Sequence, residues 1–184
     1  IKRALELLDA EQGLALEDCP IDLPDFDIPP PTCPVSFQRK RDNELGHGRL
    51  SQEVGALTPR YELGLKRRGR TTGGVRESSI PDIIADVTTW AADFTQPLPE
   101  PSWLKLALED LKSFYSEAIT AQPGDCKAGY SDALIFDDTV LGQLIVHYVN
   151  YFEAKDLNHP FIRVIASREQ LKRSTGNWAI DRDC

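Results

Sequence analysis

The chain has 184 residues, a formal net charge of −8, four cysteines and no methionine. This length can bury a core within one domain without metal or dense cross-linking, and the net acidity disfavours a nucleic-acid partner. The longest apolar run, residues 140–146, is interrupted by Gly142 and Gln143 and falls short of the roughly 20 residues that cross a bilayer, so no transmembrane segment is predicted.

The N-terminal part, residues 1–38, is predicted to be a short helix followed by a proline-rich arm. Leucines at helical spacing within residues 2–12 favour an amphipathic helix that ends near Gly13. Six prolines then fall between residues 20 and 34, a density that forbids helix and central strand and favours extended polyproline geometry. Apolar residues between the prolines indicate an arm lying along the main body. A proline-rich ligand for a partner's aromatic groove is the alternative.

Residues 39–77 are predicted to form a basic, flexible or processed segment. Residues 39–76 hold ten Lys and Arg and four acids, about +6 in a chain of −8. Arg41 completes a dibasic step, and Arg70 completes an Arg-x-x-Arg pattern followed by Thr and Gly, which is typical of exposed cleavage sites. Cleavage after Arg41 or Arg70 is one interpretation. A nucleic-acid or nuclear-import patch and a solvated loop folded back on the acidic remainder are the other two.

Residues 78–184 are predicted to be a helical domain, whose helices span about residues 79–175. Ser78 or Ser79 can cap a first helix, which apolar spacing extends to Phe94. A second helix begins after Pro101. Its predicted buried stripe is Leu104, Ala107, Leu108, Leu111, Tyr115, Ala118 and Ile119, with Glu109, Asp110, Lys112 and Glu117 facing outward.

A third helix is predicted over residues 133–155. It is apolar on more than one side, which places it at the centre of a bundle. Residues 161–165 favour either a short strand or a further helix, and Ser167 with Gln170 resembles a capping box for a last short helix. The predicted fold class is therefore mainly α: a helical bundle-like body with an irregular Pro-rich N-terminal arm and, as an alternative at one position, a single short β-strand.

The cysteines predict an oxidising compartment. An even number of cysteines suits two disulfides, and sequence spacing favours Cys19 with Cys33 and Cys126 with Cys184, although three pairings are possible. Four reduced buried thiols in a cytosolic protein are the alternative. The sequence contains no Cys-x-x-Cys pair and no Cys/His spacing typical of a zinc site. It also contains no glycine-rich phosphate-binding motif, so neither a metal nor a cofactor is predicted.

One group of residues could support catalysis. His147 shares a helix with Asn150 and Tyr151, three and four residues on, and such neighbours can orient a histidine as a general base. Asp137 and Asp138 are the candidate partners, which are placed at the beginning of the apolar helix. A hydrogen-bonded structural histidine and acids that complement a helix dipole are the competing interpretations. No serine lies in a nucleophile-elbow motif.

These patterns favour a secreted, disulfide-stabilised interaction protein, such as an effector or toxin-like factor, which is matured at dibasic sites and binds a protein partner. The alternative is a small hydrolase or transferase with His147 as base and Asp137 or Asp138 as its partner. The sequence leaves the identity of substrate and partner open.

Overall fold

The structure, a computed structural model, describes residues 2–7, 37, 46–96, 101–121, 129–156, 160–167 and 170. Those residues form helices and connections without a β-strand, which confirms the mainly α fold. The helices are α1 (Lys2–Glu6), α2 (His47–Arg68), α3 (Ile80–Ala92), α4 (Pro101–Ile119), α5 (Tyr130–Asp138), α6 (Val140–Lys155) and α7 (Pro160–Ile165). The proline-rich arm, the four cysteines and Arg41 lie outside the described residues.

Helix α4 is the centre of the bundle. It packs against α2, α3, α5, α6 and α7, and its predicted apolar stripe is fully buried. Helix α6 is also buried on more than one side, as its sequence predicts, and Leu144, Ile145, Tyr148 and Val149 are all inaccessible to solvent or nearly so. Burial of the apolar side chains of α4 and α6 therefore stabilises most of the core.

Helix α2 lies within residues 39–77, the segment predicted to be basic, flexible or processed, where no helix was predicted. It runs for 22 residues through Gly55 and Pro59, both of which normally weaken a helix. Both residues are exposed, so water can bind the carbonyl group that Pro59 leaves without an amide partner. Leu50, Val54 and Leu57 are buried on the opposite face, and this burial stabilises the helix despite its weak propensity.

The apolar segment after residue 130 is two helices rather than one. Thr139 separates them: its hydroxyl donates to the Ile135 carbonyl at 2.6 Å and accepts from the Gly142 amide at 3.0 Å. One side chain thus bonds the end of α5 and caps the start of α6. The two helices approach so closely that a methyl group on Gly142 would lie 2.7 Å from Phe136 Cα and nearer still to the Ile135 carbonyl.

Two further local predictions are confirmed, and one choice between two alternatives is resolved. The Ser79 hydroxyl accepts from the Asp82 amide at 3.3 Å and caps α3. Residues 161–165 belong to helix α7 rather than to a strand. Ser167 and Gln170 form the reciprocal capping box, with side chain to backbone bonds of 2.8 and 3.2 Å. Within the described ranges, no helix combines the length and the apolarity needed to cross a membrane.

Candidate functional site

The C-terminal end of α2 and the connection after it form a basic corner, defined here as residues 66–76. Lys66, Arg67 and Arg68 occupy the last turn of α2. Gly69 ends the helix with a φ of 68°, and its amide donates to the Leu65 carbonyl at 2.8 Å, an arrangement that favours glycine. Arg70 follows and is exposed. The chain therefore turns sharply away from the helix at its most cationic point.

Asp110 on α4 anchors the second half of this corner. Its Oδ1 accepts from the amides of Gly74 at 2.8 Å and Val75 at 3.0 Å, and its Oδ2 accepts from the amide of Arg76 at 3.0 Å. The Asp110 side chain is buried, with 1% of its surface exposed. Three successive amides thus converge on one carboxylate, a concave arrangement typical of anion binding by backbone groups.

Glu117, two turns further along α4, anchors the first half. Its Oε1 accepts from the amide and the hydroxyl of Thr72 at 2.6 and 2.7 Å, and its Oε2 accepts from Arg68 Nη2 at 3.1 Å. Burial raises the pKa of Glu117, but the bonds from Thr72 and Thr71 and the charge of Arg68 outweigh burial and hold this pKa below its ordinary value. Glu117 is therefore ionised at neutral pH.

Further contacts fix both ends of the corner to the body. Arg67 donates to the Ala121 carbonyl at 2.9 Å, and the Tyr61 hydroxyl donates to Thr71 Oγ1 at 3.1 Å. Arg76 lies 4.2 Å above the Trp103 ring and 3.6 Å from the Asp86 carboxylate. Residues on three helices therefore hold a segment that contains little apolar surface of its own.

The burial of Asp110 and Glu117 corrects the prediction that both face outward with Glu109 and Lys112. Their separation of seven residues is two helical turns, so both lie on one face of α4. A pair of acids at that spacing, in a chain with a basic segment elsewhere, is the signal that could have indicated a buried contact. Glu109 and Lys112 remain partly exposed and pair with each other at 2.7 Å.

The structure separates the residues of the predicted catalytic group. His147 Nε2 lies 3.2 Å from the Ala91 carbonyl, and its ring packs on Phe94. Asp137 and Asp138 are exposed and are the last two residues of α5, not the first of an apolar helix as predicted. The eight residue steps from Thr139 to His147 correspond to a rise of roughly 12 Å along α6. No contact joins the histidine to either aspartate among the residues the structure describes.

The surroundings of His147 are aromatic rather than polar. The rings of Trp90, Phe94, Tyr148 and Tyr151 pack together in stacked and edge-to-face pairs, with ring centroids 3.9 to 5.9 Å apart. The Tyr148 hydroxyl donates to the Val87 carbonyl, and the Tyr151 hydroxyl donates to the Phe94 carbonyl at 3.3 Å. Asn150 is exposed. His147 therefore contacts backbone and rings in the join between α3 and α6.

Metal-ligating side chains do not assemble elsewhere in the described ranges: no three of His, Cys, Asp and Glu there could hold an ion. The predicted disulfides of Cys19, Cys33, Cys126 and Cys184 lie outside those ranges, as does the predicted cleavage site at Arg41. These remain predictions of the sequence.

A third carboxylate, the half-buried Glu53 on α2, caps the start of α6. Its two oxygens accept from the Val140 amide at 2.9 and 3.0 Å, and Oε2 also accepts from the Tyr115 hydroxyl at 2.9 Å. Burial raises the pKa of Glu53 above its ordinary value of 4.5, and the bonds from Val140 and Tyr115 only partly oppose this rise. The pKa of Tyr115 is raised as well, first by burial and then by the charge of Glu53.

Glu53 should make stability fall as pH rises. Because the folded protein binds the Glu53 proton more tightly than the unfolded chain, this group contributes most below pH 4.5 and loses that contribution as pH rises through the folded pKa. Glu53→Gln should flatten this decline in the free energy of unfolding, measured in urea from about pH 4 to about pH 7. The exposed Glu62→Gln should leave the decline intact. A Glu53→Gln curve parallel to that of the wild type would contradict the prediction.

Comparison with known proteins adds no relationship: no family model, no curated protein and no solved structure matches this chain.

Proposed function

We propose that this chain is a secreted, disulfide-stabilised interaction protein, matured at dibasic sites, which binds an acidic surface of a partner protein through its basic corner. The observation that supports this proposal is that the corner has a fixed backbone and exposed cationic side chains. Buried carboxylates hold its backbone, while Lys66 and Arg70 are exposed and make no side-chain hydrogen bond or ion pair within the described part of the chain.

The exposed apolar side chains beside these cations favour a protein partner. Leu63 on α2 and Val75 in the corner are 41% and 59% exposed. Arginine next to apolar surface is enriched in protein interfaces, and a backbone ordered in advance lowers the entropy lost on binding. The overall charge of −8 makes a cationic patch selective, because the rest of the surface repels an acidic partner.

Charge reversal at the corner tests this surface. The probe is a fluorescent poly-glutamate peptide, whose binding is followed by anisotropy at low and moderate salt. Lys66→Glu with Arg70→Glu should weaken binding by about tenfold or more, since two attractive charges become repulsive. The matched control is Lys2→Glu with Lys105→Glu, which makes the same change in net charge at exposed positions outside the corner.

Equal loss in both double variants would show that binding depends on net charge alone and would contradict a role for the corner. Tighter binding of a short single-stranded DNA than of the peptide would contradict a protein partner.

Intact-mass analysis tests secretion and maturation separately. Material recovered from the source organism should be lighter, before reduction, by the hydrogens of four thiols, and its ends should include a cut after Arg41 or Arg70. Four free thiols in an uncut chain would overturn this part of the proposal.

A further inference from the structure

The bond between Arg70 and Thr71 lies where cleavage would leave both products anchored to the same helix. Arg70 and Thr71 are exposed, directly after the left-handed Gly69. Downstream, Thr72 is bonded to Glu117, and the amides of residues 74–76 are bonded to Asp110. None of these downstream bonds depends on the chain before Thr71.

The part before the cut has its own attachment. Leu50, Val54 and Leu57 of α2 are buried in the core, and the Tyr61 and Phe114 rings lie 4.5 Å apart. Gly64 lets the two backbones approach, since a methyl group there would lie 3.2 Å from the Glu117 carbonyl. Burial of this apolar surface, rather than the peptide bond at residue 70, holds α2 on α4.

We infer that cleavage after Arg70 yields a two-chain protein, in which the new ammonium group of Thr71 pairs with the Glu117 carboxylate. This inference rests on the proposed maturation at dibasic sites. A basic-specific endoprotease supplies the catalysis: water adds across the Arg70–Thr71 amide, the C–N bond breaks, Arg70 gains a carboxylate and Thr71 gains an ammonium group.

Each new charge is formed beside an opposite one. Thr72, the residue directly after Thr71, bonds Glu117 through both its amide and its hydroxyl. The new Arg70 carboxylate follows the last turn of α2, which carries Lys66, Arg67 and Arg68. Cleavage therefore places each new charge near opposite charges of the corner.

Disulfides are not needed for this association. In the predicted pairing, Cys19 and Cys33 both precede the cut, while Cys126 and Cys184 both follow it. The two products are then joined by non-covalent contacts, among them those between α2 and the remaining helices. Association in the presence of reductant distinguishes these contacts from any disulfide between the two parts.

Limited cleavage of the full chain with a basic-specific endoprotease tests the inference. The cut protein, identified by a new N-terminal sequence beginning Thr-Thr-Gly-Gly, should elute from a sizing column in reductant as one species. Its new amine should react with an acylating reagent near neutral pH about tenfold more slowly than the same amine in denaturant, because pairing raises its pKa. Glu117→Gln should restore fast acylation in the folded cut protein, and Lys105→Glu should leave it slow.

The outcomes separate this inference from the proposed function. Failure of folded protein to be cut after Arg70, under conditions that cut the denatured chain, would overturn both the two-chain protein and maturation at this site. A cut followed by separation of the products, or by acylation as fast as in denaturant, would overturn the two-chain protein alone. Arg70→Gln, which removes the site, identifies the band that reports the cut.

Discussion

Gly142→Ala is expected to destabilise the protein by about 3 kcal/mol or more, the largest effect expected of a methyl group added at any glycine that the structure describes. The added carbon would lie 2.7 Å from Phe136 Cα and closer still to the Ile135 carbonyl. Both neighbours are backbone atoms of α5, so neither can rotate away as a flexible side chain would. To make room, α5 and α6 must separate, which would also strain the cap that Thr139 provides between them.

The sign of this effect makes the test sharp. Alanine normally stabilises a helix interior by about 1 kcal/mol relative to glycine, so helix propensity alone predicts a gain. Gly55→Ala on α2 is the matched control, because no atom lies within 4 Å of the added carbon and the site is exposed. Urea unfolding should show a gain of about 0.5 to 1 kcal/mol for Gly55→Ala and a large loss for Gly142→Ala. Two gains would contradict the close approach of α5 and α6.

Asp110→Ala is expected to cost about 3 to 5 kcal/mol, because it removes the acceptor of three amides. The amides of Gly74, Val75 and Arg76 would lose their only protein acceptor in the described structure. Amide hydrogen exchange should show that these three amide protons lose protection. The amide protons of α6 should keep the protection that the global free energy of unfolding of the variant allows. The free energy of unfolding of Asp110→Asn should lie between those of the wild type and Asp110→Ala, since the asparagine side chain keeps one acceptor oxygen.

Glu109→Ala is the control for Asp110→Ala. It removes a neighbouring carboxylate from the same helix, and that carboxylate is 42% exposed and pairs with Lys112. Its expected cost in urea unfolding is below about 1 kcal/mol. Similar losses for the two variants would show that Asp110 acts through helix propensity or net charge instead of through the corner.

Local signals predicted much of this fold. Ser79 before Pro81 and Asp82 indicated the start of α3, and Ser167 with Gln170 indicated a capping box that the structure confirms. Both depend on residues three positions apart, so the interaction is visible within one short window. The buried stripe of α4 was predictable for the same reason, since helical spacing alone places its apolar residues on one face.

Helix α2 was not predicted because its helix-weakening residues are evident in the sequence, whereas its contacts with the core are not. Gly55 and Pro59 argue against a helix, while Leu50, Val54, Leu57 and Tyr61 recur at helical spacing on the other face. Propensity is a weak predictor once a face is buried, and here burial prevailed. The long apolar segment was likewise divided in two because one Thr139 hydroxyl bonds both ends, a role no propensity describes.

The anchors of the basic corner were beyond prediction from local pattern. Asp110 and Glu117 each bond residues far away in the chain, so their partners could not be identified without the fold. A charged residue on a helix beside polar neighbours normally faces water, and this general rule gave the wrong orientation for both. The placement of Asp137 and Asp138 failed for a related reason, because the end of α5 was not recognised.

Asp110 holds main-chain amides, and this has a consequence for how the surface can change during evolution. Gly74 has a φ of 88°, so that position tolerates few residues, but the side chain of Val75 points into solvent and takes no part in the anchorage. The backbone of residues 74–76 can therefore stay the same while the exposed side chains change, as in folds where a constant scaffold carries variable loops. A protein engineer could randomise position 75 together with 66 and 70 and, with proline excluded at position 75 to keep its amide bond to Asp110, expect the members of the library to keep the same backbone.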